Sequence, residues 1–313
     1  MDSSATPNAR SRLPTGVRNL LLPWTRGARR DGMVENRPFL DFLTHAILIL
    51  GVVIVAFPVY VTFVASTITA EEVLAAPMPL VPGPHLIENY KEAWLHGAGN
   101  SAAPVRQMMF NSLVTALVIA IGKIAISLLS AFAVVYFKFP GRMFCFWMIF
   151  VTLMLPVEVR ILPTYEVISD LSMLDTYSGL TLPLIASATA TFLFRQFFLT
   201  IPDELAEAAR IDGAGPMRFF WDVVVPMSKA SMAALFVIQF IYGWNQYLWP
   251  LLITTKERFY TLLIGINRML SGADVQIEWQ IVMATTLLAL LPPVIVVIIM
   301  QKQFITGMTD TEK

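Results

Sequence analysis

Six stretches of this chain, at 42–66, 110–137, 143–163, 178–194, 230–255 and 281–300, are built almost wholly of apolar residues. A helix needs about 20 such residues to cross roughly 30 Å of hydrocarbon, so each stretch predicts a transmembrane helix. The runs are continuously apolar rather than alternating, which argues against barrel strands. The expected fold is therefore an all-α membrane protein with six transmembrane helices. Only 14% of the residues are charged, against about a quarter in a soluble domain. The formal net charge is zero, without the basic excess of a nucleic-acid binder. One cysteine, Cys145, leaves no internal disulfide and no cysteine-built metal site.

The few charges orient the spans. Basic residues gather on the cytoplasmic side of membrane proteins. Fifteen of the 22 basic residues fall on the side holding the N-terminal tail, the 138–142 and 195–229 connections and the C-terminal tail. Five fall on the other side: Lys91, Arg106, Lys256, Arg258 and Arg268. Both termini are expected to be cytoplasmic. The organisation read from this is a basic tail at 1–41, a six-span domain at 42–300 and a short cytoplasmic tail at 301–313. The tail lacks a signal-peptide core, because 20–22 falls far short of the 7–15 apolar residues one needs. It reads as a polar extension that either stays unstructured or touches the lipid surface. Met33 offers an alternative start. The long outer loop at 67–109, with Pro77, Pro79, Pro82 and Pro84, suits contact with a protein outside.

The connection at 201–226 is the most informative. Pro202, followed by Asp203 and Glu204, favours a helix start and opposes its dipole. Ala206, Ala208 and Ala209 carry the helix with a thin surface, and Asp212-Gly213 and Gly215-Pro216 are stop and turn signals. A second short amphipathic stretch follows at 217–225. Such a small-residue helix can insert into a groove of another protein, with Glu207 and Arg210 fixing its register. Alternatively those two residues merely pair at i,i+3, for a few tenths of a kcal/mol.

Five ionisable or amide residues stand out within the spans. Lys123 sits near the middle of the second and Glu158 and Arg160 near the end of the third. Buried charges of this kind cost roughly 2.5–3.5 kcal/mol each on insertion scales, so they need a partner or a wet cavity. They either hold the bundle together or form a positive lining for an anionic solute. Asn245 and Gln246, in the aromatic 242–250 patch, need hydrogen-bond partners in apolar surroundings. They bond between helices or meet solute hydroxyls. Tyr247 and Trp249 read as interfacial anchors. His45, His85 and His96 stand in unrelated contexts, so no metal site is expected. No phosphate loop exists, because the one Gly-Lys pair, Gly122-Lys123, is followed by Ile124 and lacks the preceding glycine. The chain is thus expected to have no ATP site of its own and not to be an enzyme.

Glu207-Ala208-Ala209, then Asp212-Gly213-Ala214, with Phe220 and Pro226 beyond, resembles the EAA loop of bacterial ABC-importer permeases of the carbohydrate-uptake type. Ala230 stands where the family often has a second proline. Stretches at 146–150, 153–160, 188–198 and 242–252 narrow the resemblance toward permease subunits of sn-glycerol 3-phosphate import systems. The resemblance implies that Glu207, Ala208, Ala209, Arg210, Asp212 and Gly213 dock on an ATPase that uses ATP with Mg. It also implies a second permease, two ATP-binding subunits, a soluble solute-binding protein outside, and residence in the inner membrane lipid. Lys123, Glu158, Arg160, Asn245 and Gln246 are the candidate solute pathway. Rival readings are a permease for another sugar or polyol, a membrane-embedded enzyme using Glu158 with Arg160 on phosphate esters, and an ion-driven carrier centred on Lys123 and Glu158.

Overall fold

The computed structural model describes residues 38–98, 103–152, 157–271 and 277–309. The basic tail, residues 153–156 and the end of the C-terminal tail therefore lie outside the described residues. Every regular element among the described residues is helical. Residues through Ala56 form one unit and Phe57 onward another; the described part of the first is the beginning of α1, Pro38–Ala65.

The second unit continues with α2 (Ala70–Leu74), α3 (Leu86–Leu95), α4 (Val105–Tyr136), α5 (Arg142–Val151) and α6 (Val157–Asp170). Then come α7 (Tyr177–Thr181), α8 (Ala188–Phe198), α9 (Asp203–Ile211) and α10 (Pro216–Met227), which contains a π-turn at Phe220–Val224. The chain ends with α11 (Lys229–Trp244), α12 (Leu248–Ile253), α13 (Leu262–Leu270) and α14 (Trp279–Thr309).

Among the described residues three single helices are long and apolar enough to cross a membrane: α1 from Phe42, α4, and α14 to Gln301. Two bent pairs raise the number to five. The other expected spans differ from continuous helices in informative ways. The 143–163 stretch holds α5 and the start of α6, separated by a turn at Thr152 and residues outside the description. The 178–194 stretch bends by 48° between Tyr177–Leu184 and Ala188–Phe198. Pro183 cannot donate a helical hydrogen bond, and Ser187 restarts the helix by accepting from the Ala190 amide at 3.2 Å. The 230–255 stretch breaks at Asn245–Tyr247, between α11 and α12. A helix continued through Pro250 would set its ring against the Gln246 carbonyl, whereas Pro250 in the first turn of α12 is tolerated.

The long helix α4 organises the second unit. It packs against α11, α8 and α13, and its inward face carries small and hydroxyl side chains: Ser112, Thr115, Ala116, Ala120 and Ser127. Lipid tails are as apolar as Leu, so helices in hydrocarbon associate through close packing and hydrogen bonds rather than through exclusion of water. A Cβ on Gly243 of α11 would come within 2.9 Å of the Ala116 Cα. Only glycine permits that approach of backbones. Met108, Phe240, Trp244, Ile264 and Ile281 fill the adjoining core, and Trp244 Nε1 donates to the Ala289 carbonyl of α14 at 3.2 Å.

The N-terminal end of α4 is fastened by polar contacts. Asn111, almost fully buried, donates to the Arg258 and Tyr260 carbonyls, both at 2.9 Å, and accepts from Tyr177 Oη at 2.7 Å. Ser112 Oγ accepts from the Leu262 amide at 2.8 Å. Nearby, Asp175 accepts from the Thr255 amide at 2.7 Å, the Thr255 hydroxyl at 2.6 Å and the Lys256 amide at 2.9 Å. Burial pushes the Asp175 carboxyl upward, but the Thr255 and Lys256 hydrogen bonds outweigh it and hold the group below its usual range. Asp175 also takes a positive φ of 54°, a conformation that Asn shares readily.

A carboxylate with a lowered folded pKa contributes stability above its unfolded value near pH 4, and loses it as pH falls through the folded value. Asp175→Asn should therefore lower the thermal unfolding midpoint of the purified protein by several degrees at neutral pH, since hydrogen bonds to a charged group are worth about 1.5–3 kcal/mol. The gap to wild type should close below about pH 4. A gap of constant size from neutral to acid would show that the charge is not what stabilises this junction.

Candidate functional site

Two regions of the second unit combine exposure or enclosure with chemistry. The first is the α9–α10 connection. Helix α9 ends with Asp212 as its cap, and Gly213 follows with φ +73°. The Ala214 amide donates to the Ala209 carbonyl at 2.8 Å, and the Gly213 amide to the Arg210 carbonyl at 3.1 Å. This pair of bonds is a Schellman stop, whose left-handed position glycine fills without strain. The stop leaves a protruding helix. Ile211 is 86% exposed, Leu205 and Met217 are exposed, and Glu207, Ala208 and Arg210 face outward. Among the described residues Glu207 and Arg210 form no ion pair with each other, so an i,i+3 pair does not account for them.

Beneath this exposed surface lies an aromatic anchor. Phe219 and Phe220 of α10 are buried. The Phe220 ring lies 4.8 Å from that of Phe132 on α4, and Phe219 lies 5.2 Å from Tyr136 edge to face. Phe194 and Phe198 of α8 complete the cluster. Aromatic pairs at these separations contribute about 0.5–1.5 kcal/mol each beyond area burial. The α9–α10 connection is thus fixed to α4 and α8 at the C-terminal end of α4.

The second region is a cavity of about 760 Å³ along α4. Lys123 and Arg160 both line it, together with Gln239, Tyr242, Ser187 and Thr189. Lys123 is only 6% exposed, and its Nζ lies 3.5 Å above the centroid of the Tyr242 ring. A cation held on an aromatic face away from water gains about 2 kcal/mol, which offsets much of the insertion cost of roughly 2.5–3.5 kcal/mol. Arg160, one turn below Thr164 on α6, is exposed. Gln239 is buried on α11.

The structure separates the remaining sequence candidates. Glu158 is in the first turn of α6, and its side chain lies outside the described residues. Asn245 is the exposed C-cap of α11, and Gln246 Nε2 turns back to the Tyr242 carbonyl at 3.1 Å. Neither borders the cavity. The Gln246 side chain serves the helix break, where the Tyr242 carbonyl would otherwise lack a partner, and Asn245 caps the helix through its backbone amide. Trp249, expected at the lipid interface, is instead buried and donates Nε1 to the Gly179 carbonyl at 3.1 Å. It fastens α12 to α7 and closes one wall of the cavity. Sequence reasoning missed Gln239 and Tyr242. A lone amide in the apolar middle of α11 was the available signal for the first; the ring contact to Lys123 left no signal.

Residues 123–310 match the family model described as "Binding-protein-dependent transport system inner membrane component". The chain is 60% identical over 281 residues to the sn-glycerol-3-phosphate transport system permease protein UgpE of Escherichia coli O1:K1 / APEC, covering 90% of this chain and 100% of that one. The protein of the same name from Brucella abortus (strain 2308) is 58% identical over 282 residues, with the same coverage. Among solved structures, a chain from a bacterial ABC transporter involved in the import of the acidic polysaccharide alginate superposes with a TM-score of 0.75. That match covers 87% of this chain and 99% of the other at 20% identity, a likeness of fold.

Phe220→Ala should destabilise the fold by about 3–5 kcal/mol, as loss of a buried Phe generally does, while the exposed Trp221→Ala should cost far less. Thermal unfolding of the two purified variants in detergent would check this. Equal losses would show that the ring cluster does not anchor α10.

Proposed function

Because the chain belongs to the binding-protein-dependent transport system inner membrane components, we propose that it is a permease subunit of an ATP-driven importer that carries sn-glycerol 3-phosphate across the bacterial inner membrane. The observation that carries the mechanistic part is the exposed α9, stopped at Gly213 and riveted through Phe219 and Phe220 to the helices that line the cavity. The substrate reading is supported by relatives named for sn-glycerol 3-phosphate transport and by a cavity bordered by two cations.

In this reading both termini are cytoplasmic, in keeping with fifteen basic residues on that side. A second permease completes the pathway, two ATP-binding subunits lie beneath, and a soluble binding protein delivers solute outside. This chain has no phosphate loop, so the ATPase partner uses ATP with Mg. A phosphomonoester carries about −1.5 to −2 charges near neutrality. Moving each charge inward against 100 mV costs about 2.3 kcal/mol, which is why accumulation needs a motor.

The cycle follows from the connections. The ATPase grips Glu207, Ala208 and Arg210 on the outward face of α9, with Ile211, Asp212 and Gly213 setting its end, while Ala209 packs inward against the aromatic cluster. When the ATPase closes, α9 moves, and the buried rings pass that displacement to α4 and α8. Both helices border the cavity, so the same movement alters its walls. Rigid-body rocking of this kind exchanges the open side of the pathway.

Reconstituted with its partners in vesicles, the chain should support uptake of sn-glycerol 3-phosphate only when ATP is supplied. Glu207→Ala should sharply reduce that uptake without loss of expression. Gly213→Pro should do the same, because proline is locked near φ −65° where the chain requires +73°. Full transport by both variants would sink the assignment of α9 as the coupling element.

A further inference from the structure

We propose that the Lys123 cavity is an anion subsite in this chain, where the phosphate of a phosphorylated polyol is held by the Lys123 ammonium, the Arg160 guanidinium and the first amides of α8. The inference deepens the importer reading and rests on it. Among the described residues that line the cavity, Lys123 and Arg160 bring two positive charges and no carboxylate is present. A lysine retained only to hold helices together would be expected to meet an acid. Lys123 instead is 94% withdrawn from solvent, and its ammonium lies over the Tyr242 ring with no hydrogen bond or ion pair among the described residues. An aromatic face orients a cation without neutralising it, so the charge remains available to a passing anion.

The helix break contributes independently. The bend between Tyr177–Leu184 and Ala188–Phe198 brings Ser187, Ala188 and Thr189 to the cavity wall. The first amides of a helix have no intrahelical partner, and the aligned peptide dipoles make that end positive. Half-helix ends of this kind inside a membrane bundle suit anionic solutes. Ser187 is steadied there, since its carbonyl accepts from Ser127 Oγ of α4 at 3.2 Å. The rest of the wall offers uncharged hydrogen-bonding groups, Gln239, Ser130 and Thr164, which match the hydroxyls of a polyol. The volume of about 760 Å³ lies within the range of small-molecule sites, roughly 300–1,000 Å³, and leaves room for water around the solute. Phosphomonoesters and phosphodiesters of glycerol share the required chemistry.

The test uses the whole reconstituted importer. Cys145 is the only cysteine in the chain, so Cys145→Ser with Thr164→Cys places one thiol on the cavity wall. With loaded binding protein present, sn-glycerol 3-phosphate should slow reaction of that thiol with a small anionic reagent by about tenfold, the factor expected when a charge-assisted contact is made or lost. Glycerol at the same concentration should not slow it. Glycerophosphocholine used as the probe separates the two sources: equal protection assigns the site to diesters as well, and no protection confines it to monoesters. Lys123→Met should remove the protection and lower solute moved per ATP hydrolysed by about tenfold, with ATPase stimulation retained; Lys123→Arg should keep most of both. If Lys123→Met does not assemble, Arg160→Gln, on the exposed side of the cavity, is read in its place. A wild-type importer that moves sn-glycerol 3-phosphate while thiol reactivity and turnover ignore these changes would overturn the subsite alone. A wild-type complex that moves none would overturn the importer reading, and the subsite with it.

Discussion

Hydrocarbon contains no water to hydrogen-bond an open peptide group, and each such group left unsatisfied costs several kcal/mol. Every departure from a continuous helix in this chain must therefore be closed by something the protein itself supplies. At the 184–188 break the closure is Ser187, which caps α8 and is held by Ser127. At the 245–247 break it is Gln246 bonding back to Tyr242, with Trp249 tied to Gly179 beyond. Irregular backbone at membrane depth is tolerated where it is buried or lines a cavity, and the 184–188 break does border one. The cavity and the broken helices thus have one physical origin.

The same economy governs the fastening of the helices. With little hydrophobic gain available between helices in lipid, the chain uses two devices at opposite ends of α4. At its N-terminal end, Asn111, Ser112 and Asp175 stitch α4 and the α6–α7 turn to the 254–262 segment through buried hydrogen bonds. At its C-terminal end, six aromatic rings from three helices interlock around Phe132 and Tyr136. Between the two, Gly243 meets Ala116 backbone to backbone. The polar end holds position, and the aromatic end joins the spans to α9.

Much of this was legible in the sequence. The uninterrupted apolar runs at 42–66, 110–137 and 281–300 announce long helices, because nothing but a helix or a closed barrel satisfies its backbone in lipid. The α9 stop was legible as Asp212-Gly213, since glycine signals the left-handed position that ends a helix. Apolarity alone did not reveal the breaks at Pro183 and Pro250, because hydropathy records side chains and is blind to a missing amide. Lys123 and Arg160 were visible as costly charges, yet their shared cavity was not: residues 37 apart meet only through the packing of α4 against its neighbours. Asn245 and Gln246 looked equally functional in sequence, but the helix end consumes the Gln246 amide and leaves Asn245 exposed away from the cavity. Trp249 misled for a related reason, since an indole satisfied by a buried carbonyl and one satisfied by interfacial water are the same letter.

Lys123 and Phe132 share an unbroken stretch of α4. Nine residues at about 1.5 Å of rise separate them by about 13.5 Å. A continuous helix of that length bends little under thermal forces, so it behaves as a rod between the ring cluster and the cavity. In the proposed importer, slippage, in which hydrolysis proceeds without solute movement, then has few places to occur. It requires yielding either where rings meet between α10 and α4 or where α9 meets its motor. In that reading the efficiency of the cycle is decided at those two joints, and the rod between them sets the lower limit on how loosely it can run.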